Sequence, residues 1–151
     1  MSGILKAYEL VVSKLKKLGW LPPLLARITL GSVFIESGWG KLHNLPKVID
    51  FFTSLGIPAP QIQAPFVAST ELVCGFLVLI GLLTRLASVP LLATMVVAIL
   101  TAKKADIASF SDLTGVSEYL YILLFVWLIV DGAGLVSVDA FLRKNKSPVT
   151  A

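Results

Sequence analysis

Six ionisable residues sit where a side chain could do chemistry: Arg27, Lys41, His43, Glu71, Arg85 and Asp131. Arg27 and Glu71 lie inside long apolar stretches, where a charge near the centre of a bilayer costs about 2.5–3.5 kcal/mol on insertion scales and therefore needs a reason. Gly31, Phe34, Gly38 and Lys41 follow Arg27 at helical spacing, so the five share one stripe. Glu71, Gly75, Val78, Leu82 and Arg85 make a second stripe of the same kind. Two such stripes facing each other would put cations and a carboxylate into one low-dielectric interior.

That arrangement has two readings. Arg27, Lys41 and Glu71 could line a cavity that holds a polar headgroup, such as that of a quinone or a lipid. A buried ion pair can equally do no more than fix the register of a small bundle. At 1.5 Å per residue Arg27 lies about 9 Å above the inner boundary and Glu71 about 18 Å, so an extended arginine could nearly reach. Lys41 is the mate for Glu71 from above, and Asp131 could pair with Arg27 or Arg85. Glu36 is turned about 180° from Arg27, since nine residues at about 100° each separate them. It faces headgroups, a partner or the outer loop. His43 is a lone histidine beside Lys41 that could assist proton exchange. Cys74 reads as a small packing residue, and one cysteine with one histidine leaves no bis-histidine haem, C-x-x-C pair or metal set. Any redox cofactor would be a bound organic molecule, with quinone the leading case.

The elements that must position these residues are helices. Ile4, Tyr8, Val11, Leu15 and Leu18 recur at helical spacing among Lys6, Lys14, Lys16 and Lys17, which predicts an amphipathic helix over 1–20 on an anionic leaflet. Four apolar spans are expected over 21–41, 64–83, 86–102 and 118–136. Between the first two, Leu45–Leu55 carries an apolar stripe that predicts a short helix in the outer loop, and Pro58, Pro60 and Pro65 break the chain. Gly81–Arg85 leaves room only for a tight hairpin between the second and third spans. Residues 103–117 read as a polar loop, and 143–151 as a basic tail.

Composition agrees. The 151 residues are 56% hydrophobic and 15% charged, with a mean hydropathy of +0.88, against about 25% charged in soluble domains. A fold of this length leaves about 30% of its unfolded-chain surface in contact with solvent, so it cannot hide that much apolar surface from water. This excludes a soluble enzyme and a secreted disulfide module. The basic residues form no nucleic-acid patch. Four spans put both termini on one side. Eight basic residues fall on that side and four on the other, so both termini are expected in the cytoplasm of a bacterial or archaeal cell, with the protein in its cytoplasmic membrane.

The chain resembles the DoxX family of small four-helix membrane proteins. The resemblance rests on Arg27-x3-Gly31-x2-Phe34-x3-Gly38-x2-Lys41-Leu42, Gly56-Ile-Pro-Ala-Pro60, Glu71-x3-Gly75 and Gly81-Leu-Leu-Thr-Arg85. Met95, Thr101 and Gly132-Ala-Gly134-x2-Ser137-Val-Asp139 complete it, over roughly residues 24–142. It implies an all-α integral membrane four-helix bundle associated with oxidoreductases, related to the membrane subunit of thiosulfate:quinone oxidoreductase. Cys74 departs from the first of two adjacent glycines common in the family, and Glu36 lies outside the shared pattern. Two functions are thus carried forward. One is a quinone-facing or anchoring subunit of an electron-transfer complex, with no metal or haem of its own. The other is a non-catalytic accessory or assembly subunit that packs on partner helices. A homo-oligomer is compatible with either, and a transporter has no second repeat to work with.

Overall fold

The computed structural model describes residues 2–144. They form helices with no strand among the described residues. These are α1 (Ser2–Lys16), α2 (Leu21–His43), α3 (Leu45–Ser54), α4 (Pro60–Ile80), α5 (Thr84–Leu100), α6 (Phe110–Gly115), α7 (Ser117–Asp131) and α8 (Val138–Lys144). The protein is an all-α membrane protein. Among the described residues α4 meets the length and hydropathy of a full span by itself, α1 and α2 do so together as a bent pair, and α5, equally apolar, has 17 residues.

α1 forms as its periodicity predicts and bends 43° away from α2. Its stripe residues Ile4, Tyr8, Val11 and Leu15 are all exposed, so none of the described residues covers that face. α3 also forms as expected. Several boundaries differ from expectation. Pro65 does not delay the second span: Pro60 occupies the first turn, where a missing N–H costs nothing, and Pro65 is taken into α4 one turn later. The loop expected over 103–117 contains α6, started by a capping box in which Ser109 accepts from the Asp112 N–H and Asp112 accepts from the Ser109 N–H. Hydrogen bonds from the Ser109 hydroxyl, then from the Ala108 and Ser109 amides, hold the Asp112 carboxyl below its ordinary value.

The fourth helix does not extend to Val136. It stops at Asp131 because Gly132 turns to φ 86°, which leaves a helix of 15 residues, about 22 Å long. After a short irregular segment the chain enters α8. The basic tail beyond Lys144 lies outside the described residues.

The core is two closely packed antiparallel pairs. α2 lies against α4, α5 lies against α7, and the Gly81–Leu83 turn joins them. Leu30, Phe34, Val78, Leu91, Phe125 and Leu128 fill the centre. Phe34 bridges the pairs, edge-on to Phe125 at 5.2 Å and to Tyr121 at 6.1 Å between ring centroids. The α2–α4 contact is set by glycine. A Cβ at Gly38 would lie 2.5 Å from the Leu72 nitrogen, and one at Gly31 would lie 2.6 Å from Leu79 Cβ. Only the absence of a side chain lets these backbones touch.

Gly38→Ala should therefore force the helices apart and lower stability by about 1–3 kcal/mol, as overpacking does. Gly40→Ala meets nothing within 4 Å, so it should gain about 0.5–1 kcal/mol from helix propensity alone. Opposite shifts of the two variants in thermal unfolding, in one detergent, would verify the contact; a loss for both would count against it.

Candidate functional site

The glycine contact decides which charges meet. With Gly31 against Gly75 and Leu79, and Gly38 against Ala68 and Leu72, α2 and α4 run antiparallel in a single register. Glu71 then lies beside Ser37 and Lys41. The Lys41 ammonium binds both carboxylate oxygens, at 2.5 Å to Oε1 and 2.6 Å to Oε2. The Ser37 hydroxyl donates to Oε2 at 2.9 Å. Glu71 is 1% exposed. The Lys41 side chain is 29% exposed, so the cation forms the accessible side of the pair.

Arg27 takes no part in this pair, contrary to the reach estimated from helix rise. The register puts it level with Gly81, about ten residues from Glu71 along the bundle, or about 15 Å. Its Nη2 donates to the Val136 carbonyl at 2.6 Å instead. Gly81 is held at φ 74°, and a Cβ there would collide with Arg27 Nη1. Nε and Nη1 of Arg27 and the hydroxyls of Thr84 and Ser88 are buried without a hydrogen-bond partner among the described residues.

Asp139 was visible in the sequence only as part of a motif. It accepts from the Leu83 N–H at 2.9 Å and the Thr84 N–H at 3.2 Å, and its own N–H donates to the Gly81 carbonyl at 2.9 Å. A carboxylate from the far end of the chain thus caps the start of α5, where N–H groups lack helical partners. It also holds Leu83, a non-glycine residue at φ 49°. Arg27 and Asp139 together fasten the start of α2, the α4–α5 turn and the segment after α7.

Asp131 pairs with neither Arg27 nor Arg85. It accepts from the Trp127 indole one turn back, while the Arg85 guanidinium donates to the Val130 carbonyl at 2.9 Å. His43 is exposed; its Nδ1 lies 2.9 Å from the Trp39 carbonyl oxygen and its ring rests on the Trp39 ring at 4.3 Å. Glu36 is exposed on the outward side of α2, as its angle from Arg27 requires. Ser37 was missed as a site residue. Its position one turn before Lys41 was the signal that could have found it.

At the end opposite the Arg27 clamp, the two helix pairs part. A cavity of about 520 Å³ lies there between α4 and α5, under α3. Val48, Phe51 and Phe52 of α3 and Leu55 just after it form its roof, and Lys41 and Glu71 form its polar end. Exposed Phe66 and Val97 stand at its side, so it opens towards the region lipid would occupy. A second cavity of about 540 Å³ lies between α2, α5 and α7, and Lys41 borders both.

Asp139→Ala should remove two acceptors from the α5 N-terminus and cost about 1–2 kcal/mol, as loss of a helix cap does. Hydrogen exchange by mass spectrometry should then show faster exchange at Leu83 and Thr84, with the Ser37–Lys41 turn unchanged. Equal loosening at both ends would mean that the clamp is not local.

Comparison with known proteins bears on what such an arrangement serves. The DoxX profile matches residues 22–104, more than half of the chain. The profile "TQO small subunit DoxD" matches residues 64–151. The chain is 33% identical to "Putative oxidoreductase CatD" of Bacillus subtilis, over 82% of this chain and 88% of that one. It is 34% identical to "Uncharacterized membrane protein Rv3486" of Mycobacterium tuberculosis, over 79% and 80% of the two chains. It is 29% identical to "Inner membrane protein YqjF" of Escherichia coli, over 87% and 99%. No solved structure matches the chain. The inward stripes from Arg27 to Lys41 and from Glu71 to Val78, and the profile that spans both, establish that this chain belongs to the DoxX family.

Proposed function

We propose that the protein is the membrane subunit of an oxidoreductase complex and that its outer cavity receives a quinone or quinol. The observation that carries this reading is the Lys41–Glu71–Ser37 group at the polar end of an otherwise apolar cavity. About 520 Å³ falls within the usual range of small-molecule sites, about 300–1,000 Å³. The donor chemistry fits as well. Two of the three ammonium protons of Lys41 face Glu71, which leaves the third for a ring carbonyl. Glu71 can accept a hydrogen bond from a ring hydroxyl or hold a proton for it. The α3 aromatics cover the ring and exclude water, and the gap beside Phe66 and Val97 admits an isoprenoid tail. A quinone, when bound, supplies two-electron, two-proton chemistry. The chain's own residues orient the head and hold the proton. The name of the DoxD profile supports an oxidoreductase partner.

In this reading α2, α4, α5 and α7 cross the membrane. The irregular segment after Asp131 completes the short α7, and the lysines of α1 lie on the anionic cytoplasmic leaflet. A reporter active only outside the cytoplasm, fused after Ala151, should give no signal. The second reading, an assembly subunit, is favoured by Glu36, whose outward carboxylate suits a contact with a partner helix. The two separate on the behaviour of Glu71→Gln. A ligand site predicts weaker quinone binding, whereas an assembly role predicts lower abundance of the complex.

Lys41→Met and Glu71→Gln should each weaken short-chain quinone binding about tenfold or more, the effect of losing one hydrogen bond to a charged group. Glu36→Gln should stay within about twofold. Calorimetric titration of the protein in nanodiscs makes the comparison. Equal affinity across the three variants would remove the site.

A further inference from the structure

The two cavities share Lys41, Phe51, Met95, Ala98 and Ala102 as a common wall and differ in the rest of their lining. The first is roofed by hydrocarbon and opens sideways between α4 and α5. The second is faced by Ser37, Lys41, Lys103, Glu118 and Tyr121. Water settles where it finds two to four polar partners and enough room, and this space offers both. Lys103 follows the end of α5 and Glu118 stands in the first turn of α7, so both mark the outer rim.

Glu71 borders only the first cavity and Ser37 only the second. Yet the Ser37 hydroxyl donates to Glu71 Oε2 at 2.9 Å. That hydrogen bond crosses the wall between the two spaces. Resting on the reading that the first cavity takes a quinone head, we propose that the second cavity is the aqueous proton entry to it. The ligand arrives from the bilayer and the protons from water, on opposite sides of the Lys41–Glu71 pair.

The balance is simple. Reduction of a quinone to a quinol consumes two electrons, from an electron-donating centre on the partner oxidoreductase, and two protons. Each ring C=O becomes C–O–H. Glu71, a carboxylate beside the Lys41 ammonium, takes a proton through the Ser37 hydroxyl from water in the second cavity and passes it to the ring oxygen. The second proton follows the same route. Quinol oxidation runs it backwards, with an electron acceptor on the partner. The titratable groups along the path are Glu118, Lys103, Tyr121, Lys41 and Glu71.

The test uses single cysteines in a Cys74→Ala background, with the full chain in nanodiscs. Val33→Cys probes the second cavity alone, and Val67→Cys the first alone. A charged methanethiosulfonate needs a hydrated thiolate, so it should modify Val33→Cys at least about tenfold faster than Val67→Cys. A short-chain quinone should protect Val67→Cys from a lipophilic maleimide and leave the rate at Val33→Cys unchanged. Ser37→Cys and Thr70→Cys repeat the comparison if a first variant does not fold. Equal, slow modification of both cysteines overturns the proton entry, as does quinone protection of Val33→Cys. Protection of neither cysteine overturns the quinone reading itself, and the proton role falls with it.

Discussion

The close approach of α2 and α4 through Gly31 and Gly38 governs the rest of the structure. Backbone meets backbone at both positions, so the two helices cannot slide without a collision. Antiparallel packing in one register then assigns every inward residue a fixed neighbour. Glu71 falls beside Ser37 and Lys41, and Arg27 falls beside the Gly81 turn. In hydrocarbon there is little hydrophobic drive between helices, so close packing and hydrogen bonds must supply the association. The glycine stripes supply the packing, and the Lys41–Glu71–Ser37 group supplies hydrogen bonds across the same interface.

The two ends of the bundle use charge differently. At the Arg27 end this residue is 2% exposed and gives one hydrogen bond to a backbone carbonyl, while Asp139 neutralises the α5 N-terminus. Three chain segments are fastened there. At the Lys41 end the helix pairs diverge, and the space between them is closed by α3 rather than by core side chains. One ion pair marks that space. This end combines a buried carboxylate, an accessible cation and room for a ligand.

Much of this was legible in the sequence. The two stripes, the helix over 45–55, the tight turn at Gly81 and the Lys41–Glu71 pairing follow from helical spacing and from the cost of charge in lipid. The misreadings share a cause. The pairing of Arg27 with Glu71 rested on helix rise measured from assumed span ends. Those ends are not level: Arg27, six residues into α2, packs against Gly81, just past the end of α4. Asp131 appeared a natural partner for arginine by depth, but its carboxylate was taken by the indole one turn away. His43 lies two residues from Lys41 in the chain, yet about 200° around the helix, and so outside both cavities.

Sequence alone determined the solvent and the periodicity: composition demanded lipid, and spacing put Arg27, Gly31, Phe34, Gly38 and Lys41 on one face. Both are properties of single segments and need no knowledge of neighbours. Register, the partner of each charge, and the parting of the helix pairs over a cavity were decided by tertiary structure. They depend on which backbones touch, and Asp139, capping a helix 55 residues earlier in the chain, has no local signal that could announce it. Helical spacing shows which way a side chain points, but only packing shows what it meets.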